Sequence, residues 1–447
     1  MRNCTDVPQR FFLRKKLYYY LTLAVIATTL FSWFNINSYI IILLLFCRLV
    51  DGSPRLALKS AFTNMFFLAY SAIFLVEFAG LFYTHHLFTG WRVMESKATL
   101  VAIPFIFCAG PFTDNDGCRR IFTGYCLLLV AGCLYCLSMA VVEYHWQHRI
   151  DVFFYHELTS PIGVNAVFFS GYLLVAIFFL LFSGLAPGSV IWGHRYRFTN
   201  RLRILLLAFF AGMMVLLSSR LMLFLLAAGY AVYFGRGLPK MKWARILSFG
   251  LVIVLSLGVL AFTDNPVSRR YRELSPESLT RSVLPGAAGS DVNGISLRLF
   301  MWRAALDILR ENHAWVFGVS GGDSQELLDQ KYLAAGMSQG YLRYNFHNEY
   351  VEVLVHSGIA GWAVFMLAVG AMVFLARSAG TAEAALTIAM LLVLCLTESS
   401  LEMQHGLFLS VFFPMLNLCG TLQRHKILAV ISIKKVTLDS GRSSPIV

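Results

Sequence analysis

His347 and Asn348 stand together just before an apolar run, in "YNFHNEYVEVLVHSGIAG". A histidine at the head of a helix sits where free N–H groups and the positive end of the peptide dipole gather, a setting that attracts phosphate. The same field disfavours imidazolium, which leaves a neutral ring suited to act as general base on a hydroxyl. A His-Asn pair that merely caps the helix is the simpler alternative. Arg298 is the second residue of interest. The segment "SLRLFMWRAALDILREN" (296 to 312) reads as a helix with Ser296 as its cap. At about 100° per residue, Trp302, Ala305 and Leu309 fall within about 40° of Arg298, while Arg303, Asp307, Arg310 and Glu311 lie on the far side. Arg298 therefore goes with the apolar face. A guanidinium there needs an anionic partner, either a structural carboxylate or a bound anion.

Further polar residues interrupt apolar runs. Arg220 follows Ser218 and Ser219 between two of them, and Glu77 and Glu398 lie within or at the end of others. Acids in such places are functional candidates. His356, with Glu352 one turn earlier, reads as a structural pair. "FGVSGGD" (317 to 323) reads as a turn or backbone nest, and Gly358 and Gly361 as a site of close helix packing.

The elements that must hold these residues follow from composition. Only 14% of the 447 residues are charged and 58% are hydrophobic, whereas a soluble domain carries about 25% charged residues. A water-soluble enzyme is excluded. The expected fold is all-α, a polytopic membrane protein of about twelve transmembrane helices: 17 to 34, 37 to 47, 60 to 83, 98 to 113, 121 to 142, 162 to 186, 204 to 217, 221 to 235, 246 to 263, 350 to 376, 384 to 397 and 403 to 420. Its divisions are nine spans in 1 to 263, a loop with amphipathic helices at 264 to 346, three spans in 347 to 420 and a tail at 421 to 447. Arg14, Lys15 and Lys16 place the N-terminus in the cytosol, and the segments that then share its side hold 24 of the 37 Lys and Arg. Both ends are expected inside and the loop 264 to 346 outside. The net charge of +13 is thus a mark of orientation, not of a nucleic-acid partner. All nine cysteines fall in spans or cytosolic segments, so no disulfide framework is expected.

Three segments together resemble the bacterial O-antigen ligase and O-antigen polymerase family. His347, Asn348, Gly358 and Gly361 meet its H-[NSQ]-x9-G-x-x-G pattern. "SSRLMLFLLAAG" (218 to 229) is similar to its Ser-Arg at the start of a span, and "RLFMWRAALDILRENHAWVFGVSGGD" (298 to 323) to its R-x-x-x-W helix followed by a Phe-Gly turn. The resemblance covers residues 203 to 420. It implies a GT-C-type membrane glycosyltransferase of the bacterial inner membrane, with a periplasmic active site. The donor would be an undecaprenyl-pyrophosphate-linked glycan, the acceptor lipid A core or another saccharide, and no metal or other cofactor would be used. On that resemblance Arg220 and Arg298 engage the donor pyrophosphate, His347 serves the acceptor hydroxyl, and Asn348 and Glu398 are supporting residues. The alternatives are a polymerase that extends a lipid-linked glycan and, in a different class, a polysaccharide transporter or flippase.

Overall fold

The computed structural model describes residues 6–50, 54–108, 115–185, 189–191, 194–196, 200–237 and 294–418. The expected span 246–263, much of the loop 264–346 and the tail lie outside these. Numbered through the described residues, the helices are α1 (Asp6–Leu30), α2 (Phe34–Val50), α3 (Pro54–Phe62), α4 (Met65–Ala79), α5 (Leu87–Lys97), α6 (Thr99–Cys108), α7 (Asn115–Gln147), α8 (Tyr155–Thr159), α9 (Ala166–Phe182), α10 (Asn200–Leu217), α11 (Arg220–Gly237), α12 (Gly294–Glu311), α13 (Ser324–Ala334), α14 (Glu349–Ala379), α15 (Ala382–Leu394) and α16 (404–418). A small hairpin pairs Ser189–Ile191 with His194–Tyr196. The architecture is that of a helical membrane protein. Among the described residues, four stretches are long and apolar enough to cross a membrane: Met65–Phe82, Gly117–Gln147, Asn200–Leu217 and Glu349–Ala379. Tyr155–Ile162 and Ala166–Phe182 meet at a bend of 83°, the form of a broken span or a re-entrant loop. Phe34–Val50 and Ala382–Leu394 are apolar but shorter.

The core centres on α9, whose residues from Ala166 to Leu181 are all buried. A helix apolar on every side has no solvent face and must be enclosed, and α7, α10, α11 and α15 enclose it. Side-chain caps set where several helices begin: Asn64 for α4, Asn165 for α9, Asn348 for α14 and Thr381 for α15 each accept main-chain N–H bonds at the first turn. Gly380, at φ 66°, ends α14 so that α15 can fold back.

A second, smaller core joins α12 and α13 to the head of α14. Leu297, Met301, Ala305, Ile308, Leu328 and Tyr332 pack there with Phe346 and Val355. Each of the larger aliphatic side chains and Phe346 stabilises the junction by roughly 1.5–3 kcal/mol. The helix α12 begins at Gly294, two residues before the expected cap, and Ser296 lies buried in its first turn.

The junction is completed by a break in α14. Gly358 adopts φ 61° and ψ −166°, interrupting the helix, and the segment 315–320 lies against the gap. Val319 N donates to Val355 O (2.8 Å), Ser320 N to His356 O (2.9 Å), Ile359 N to Trp315 O (2.8 Å) and Ala360 N to Val316 O (3.1 Å). The main-chain groups freed by the break are thereby satisfied. The backbones touch: a Cβ on Gly318 would overlap the carbonyl of His356, and one on Gly358 that of Val316. The sequence reading of Gly358 as a helix-packing residue needs correction to this extent. Its partner is a loop and its role is to break the helix, while Gly361 does make the expected close approach, to Val76 on α4.

Candidate functional site

Three of the expected residues meet at the head of α14. Glu398 Oε1 lies 3.3 Å from Arg298 Nη2, and Glu398 Oε2 lies 3.1 Å from His347 Nδ1. Glu398 is 5% exposed, and Arg298 and His347 are half-buried at its sides. A carboxylate accepting from Nδ1–H fixes the ring orientation and leaves Nε2 as the basic nitrogen. The anionic partner that Arg298 requires is therefore a carboxylate of this chain. One guanidinium N–H serves Glu398, and Nε has no partner among the described residues. The remaining fork can meet a second anion, and Arg is suited to do so bidentately.

Local structure places each side chain. Trp302, one turn after Arg298, donates Nε1–H to the Phe346 carbonyl (3.1 Å), tying α12 to the residue before the histidine. His347 is held at φ 47°, with its N–H donated to Asn345 Oδ1 (3.1 Å). A non-glycine residue in that region is sparsely populated, and such strain gathers at functional sites. Asn348 has the structural role: its Oδ1 accepts from Tyr350 N and Val351 N and caps α14. Glu398 sits in the turn after α15, and its neighbour Ser399 is bound to Glu352 Oε2 (2.6 Å).

Arg220 opens α11 after a tight turn at Ser218 (φ 45°) and is half-buried. Among the described residues the ion-pair partners of Glu398 are Arg298 and His347, and Arg220 is not one of them.

His356 is paired with Glu352 as expected (3.2 Å) and also with Glu77 (3.2 Å). Sequence reasoning missed Lys97, whose ammonium lies 2.5 Å from Glu402 and 3.2 Å from Glu77. Burial alone would push that ammonium down, but Glu402 and Glu77 raise it. Nothing in the spacing around Lys97 separates it from a solvated lysine. Glu402 carried a faint signal, as an acid four residues after Glu398 beside an apolar run.

A second polar cleft, lined by Tyr83, His85, His86, Asn312, Asp323 and Glu326, lies where the segment after α4 meets α13. Asp323 is its pin, accepting from Thr84 Oγ1, His85 N and His86 N, all at 2.9 Å.

A helical membrane protein that gathers a histidine, a carboxylate and an arginine at the mouth of a broken apolar helix is built to handle a hydroxyl and an anion side by side. Residues 205–366 match the O-antigen ligase family model, so the resemblance carried by the motifs is borne out over this segment. The match takes in Arg220, Arg298, His347, Asn348 and Gly358, and Glu398 lies beyond it. No curated protein matches the chain.

Proposed function

We propose that the protein is a glycosyltransferase of the bacterial inner membrane, GT-C in type. It transfers a glycan from undecaprenyl pyrophosphate to a saccharide acceptor such as lipid A core, on the periplasmic face. The Arg298, Glu398 and His347 cluster within and beside the ligase domain carries this reading. An acceptor hydroxyl attacks the anomeric carbon from the side opposite the donor pyrophosphate. The new glycosidic bond forms as the bond to the pyrophosphate oxygen breaks, with inversion. The hydroxyl proton passes to His347 Nε2, and the electron pair leaves with undecaprenyl pyrophosphate. Arg298, joined by Arg220 from the head of α11, meets the charge on that leaving group. Glu398 keeps the imidazole aligned and Asn348 keeps the helix start in place. The chain would have twelve spans, with both termini cytosolic and residues 264 to 346 outside.

Purified protein supplied with lipid-linked glycan, with and without lipid A core, tests the reading. Glycan-capped core is the expected product. Ladders on the lipid carrier instead would make the protein a polymerase, and neither product would refute glycan transfer. A flippase, the alternative of another class, would move lipid-linked glycan without joining it to either acceptor.

A further inference from the structure

Behind the Arg298, Glu398 and His347 cluster lies a second set of charges, almost fully enclosed, that glycan transfer gives no task. Lys97 Nζ pairs with Glu402 Oε1 (2.5 Å) and Glu77 Oε2 (3.2 Å). His356 pairs with Glu77 through Nδ1 and with Glu352 through Nε2, each at 3.2 Å, and its Nε2 lies 2.9 Å from Ser324 Oγ. Lys97 is 1% exposed and His356 2%.

Two other readings of these groups fail on the geometry. Ser324, His356 and Glu77 have the outline of a nucleophile triad, but the nitrogen facing Ser324 also faces the Glu352 carboxylate. Ser324 is also only 3% exposed. Glu77, His356 and Glu402 have donor atoms close enough to hold a metal ion, but the Lys97 ammonium already lies against two of them and supplies the cation.

The network instead reaches both halves of the candidate site. Glu402 closes the turn that begins at Glu398, and that turn is fixed at two further points, with a third bond just before it. Ser399 Oγ donates to Glu352 Oε2 (2.6 Å), Leu401 N donates to Glu349 Oε2 (2.7 Å), and Glu349 N donates to Cys395 O (2.8 Å). Ser399 Oγ also accepts from Asn348 N (3.3 Å), and Glu352 Oε2 accepts from Phe346 N (3.2 Å), the two neighbours of His347. On the other side His356 holds Ser324 at the head of α13, the helix packed on α12 that carries Arg298.

We propose that Lys97 is a positioning residue: by pairing with Glu402 it fixes the 398–402 turn so that Glu398 can hold Arg298 and His347 at once. The proposal rests on the glycan-transfer reading. Without Lys97 the nearest cation to Glu402 among the described residues is His356 Nδ1 at 3.7 Å, a weaker partner for a buried carboxylate, so the turn rearranges. Glu398 then ceases to align the imidazole. An effect of that kind falls on the chemical step more than on donor binding.

Three full-length variants, Lys97→Met, Glu402→Ala and Lys97→Arg, purified in detergent, test this against wild type by two measurements. One is steady-state transfer from lipid-pyrophosphate-linked glycan; the other is hydrogen exchange in peptides covering residues 395–404. Lys97→Met is expected to lower kcat at least about tenfold per folded molecule, with donor KM within about twofold. Exchange in the turn should rise at least about tenfold while α12 is unchanged. Glu402→Ala leaves Lys97 paired with Glu77, so it should fold even where Lys97→Met does not, and it should show the same split. Lys97→Arg keeps a cation between the carboxylates and should stay within about threefold of wild-type kcat. Wild-type kcat or unchanged exchange in folded Glu402→Ala overturns the proposal, as does a raised KM at constant kcat. A wild-type protein that transfers no glycan refutes the glycan-transfer reading, while the exchange measurement still decides whether Lys97 fixes the turn.

Discussion

Glu398 makes one unit of two residues from distant parts of the chain, accepting from His347 Nδ1 with one oxygen and from Arg298 with the other. Replacing it by Gln keeps the volume but removes the charge both partners need. Glu398→Gln should therefore lower kcat by roughly 10²-fold with the protein still folded, and His347→Ala by roughly 10²–10⁴-fold, as measured by transfer to a saccharide acceptor. Arg298→Lys loses the planar fork and should raise donor KM more than it lowers kcat. Asp323 governs a pH dependence away from this site. Burial pushes its carboxyl up, but the bonds from His85 N, Thr84 Oγ1, His86 N and the His86 ring outweigh burial and hold it below the ordinary aspartate range. Because the folded value is the lower one, its stabilisation is complete above the unfolded value and is lost as pH falls through the folded one. Asp323→Asn should lower the melting temperature near neutral pH, and the gap to wild type should close in acid. His347, Arg298 and Glu398 were legible in the sequence because a polar residue in an apolar setting needs a reason. Lys97 was not, since only the closed fold shows that its neighbours are carboxylates.

The element that matters most is α14, capped by Asn348, broken at Gly358 and bonded across the break to residues 315–320. Gly358 combines a backbone conformation that side chains rarely adopt with contact against the Val316 carbonyl. Gly358→Ala should cost about 1–3 kcal/mol from the conformation alone, and more from the overlap. Gly318→Ala, at φ 74° and against His356, should behave alike. Gly370, with open space around it on the same helix, is the control. Gly370→Ala should be neutral or stabilising by up to about 1 kcal/mol, the helix propensity difference. Thermal melts in detergent check all three. Asn348→Ala should cost about 1 kcal/mol, the usual value of a lost cap. The position of α14 was readable from its apolar run. Its break was not, because a Gly-x-x-G within such a run has the same pattern whether it packs a helix or ends one.

At the scale of the whole molecule, the charge pattern and the packing agree on which segments share an end. Arg119, Ser183 and Glu383, all in or next to segments assigned to the cytosol by their charge, meet through hydrogen bonds from Arg119 to Ser183 O and from Ser183 Oγ to Glu383. Thr84 and His85 meet Asp323, as segments assigned to the other side should. With native cysteines replaced, a cysteine at exposed Glu326 should react with a membrane-impermeant thiol reagent in intact cells, and one at exposed Asn200 only after permeabilisation. Among the described residues four stretches are long and apolar enough to span unaided, whereas a reading by composition takes in every apolar run, including shorter helices such as Phe34–Val50 and Ala382–Leu394. Glycan transfer at His347 is the central claim. Its most direct test is the rate at which purified His347→Ala moves glycan from undecaprenyl pyrophosphate to lipid A core, with donor binding measured on the same sample. The expected result is donor binding near wild type with transfer lowered at least about 10²-fold. Transfer at the wild-type rate would contradict the account.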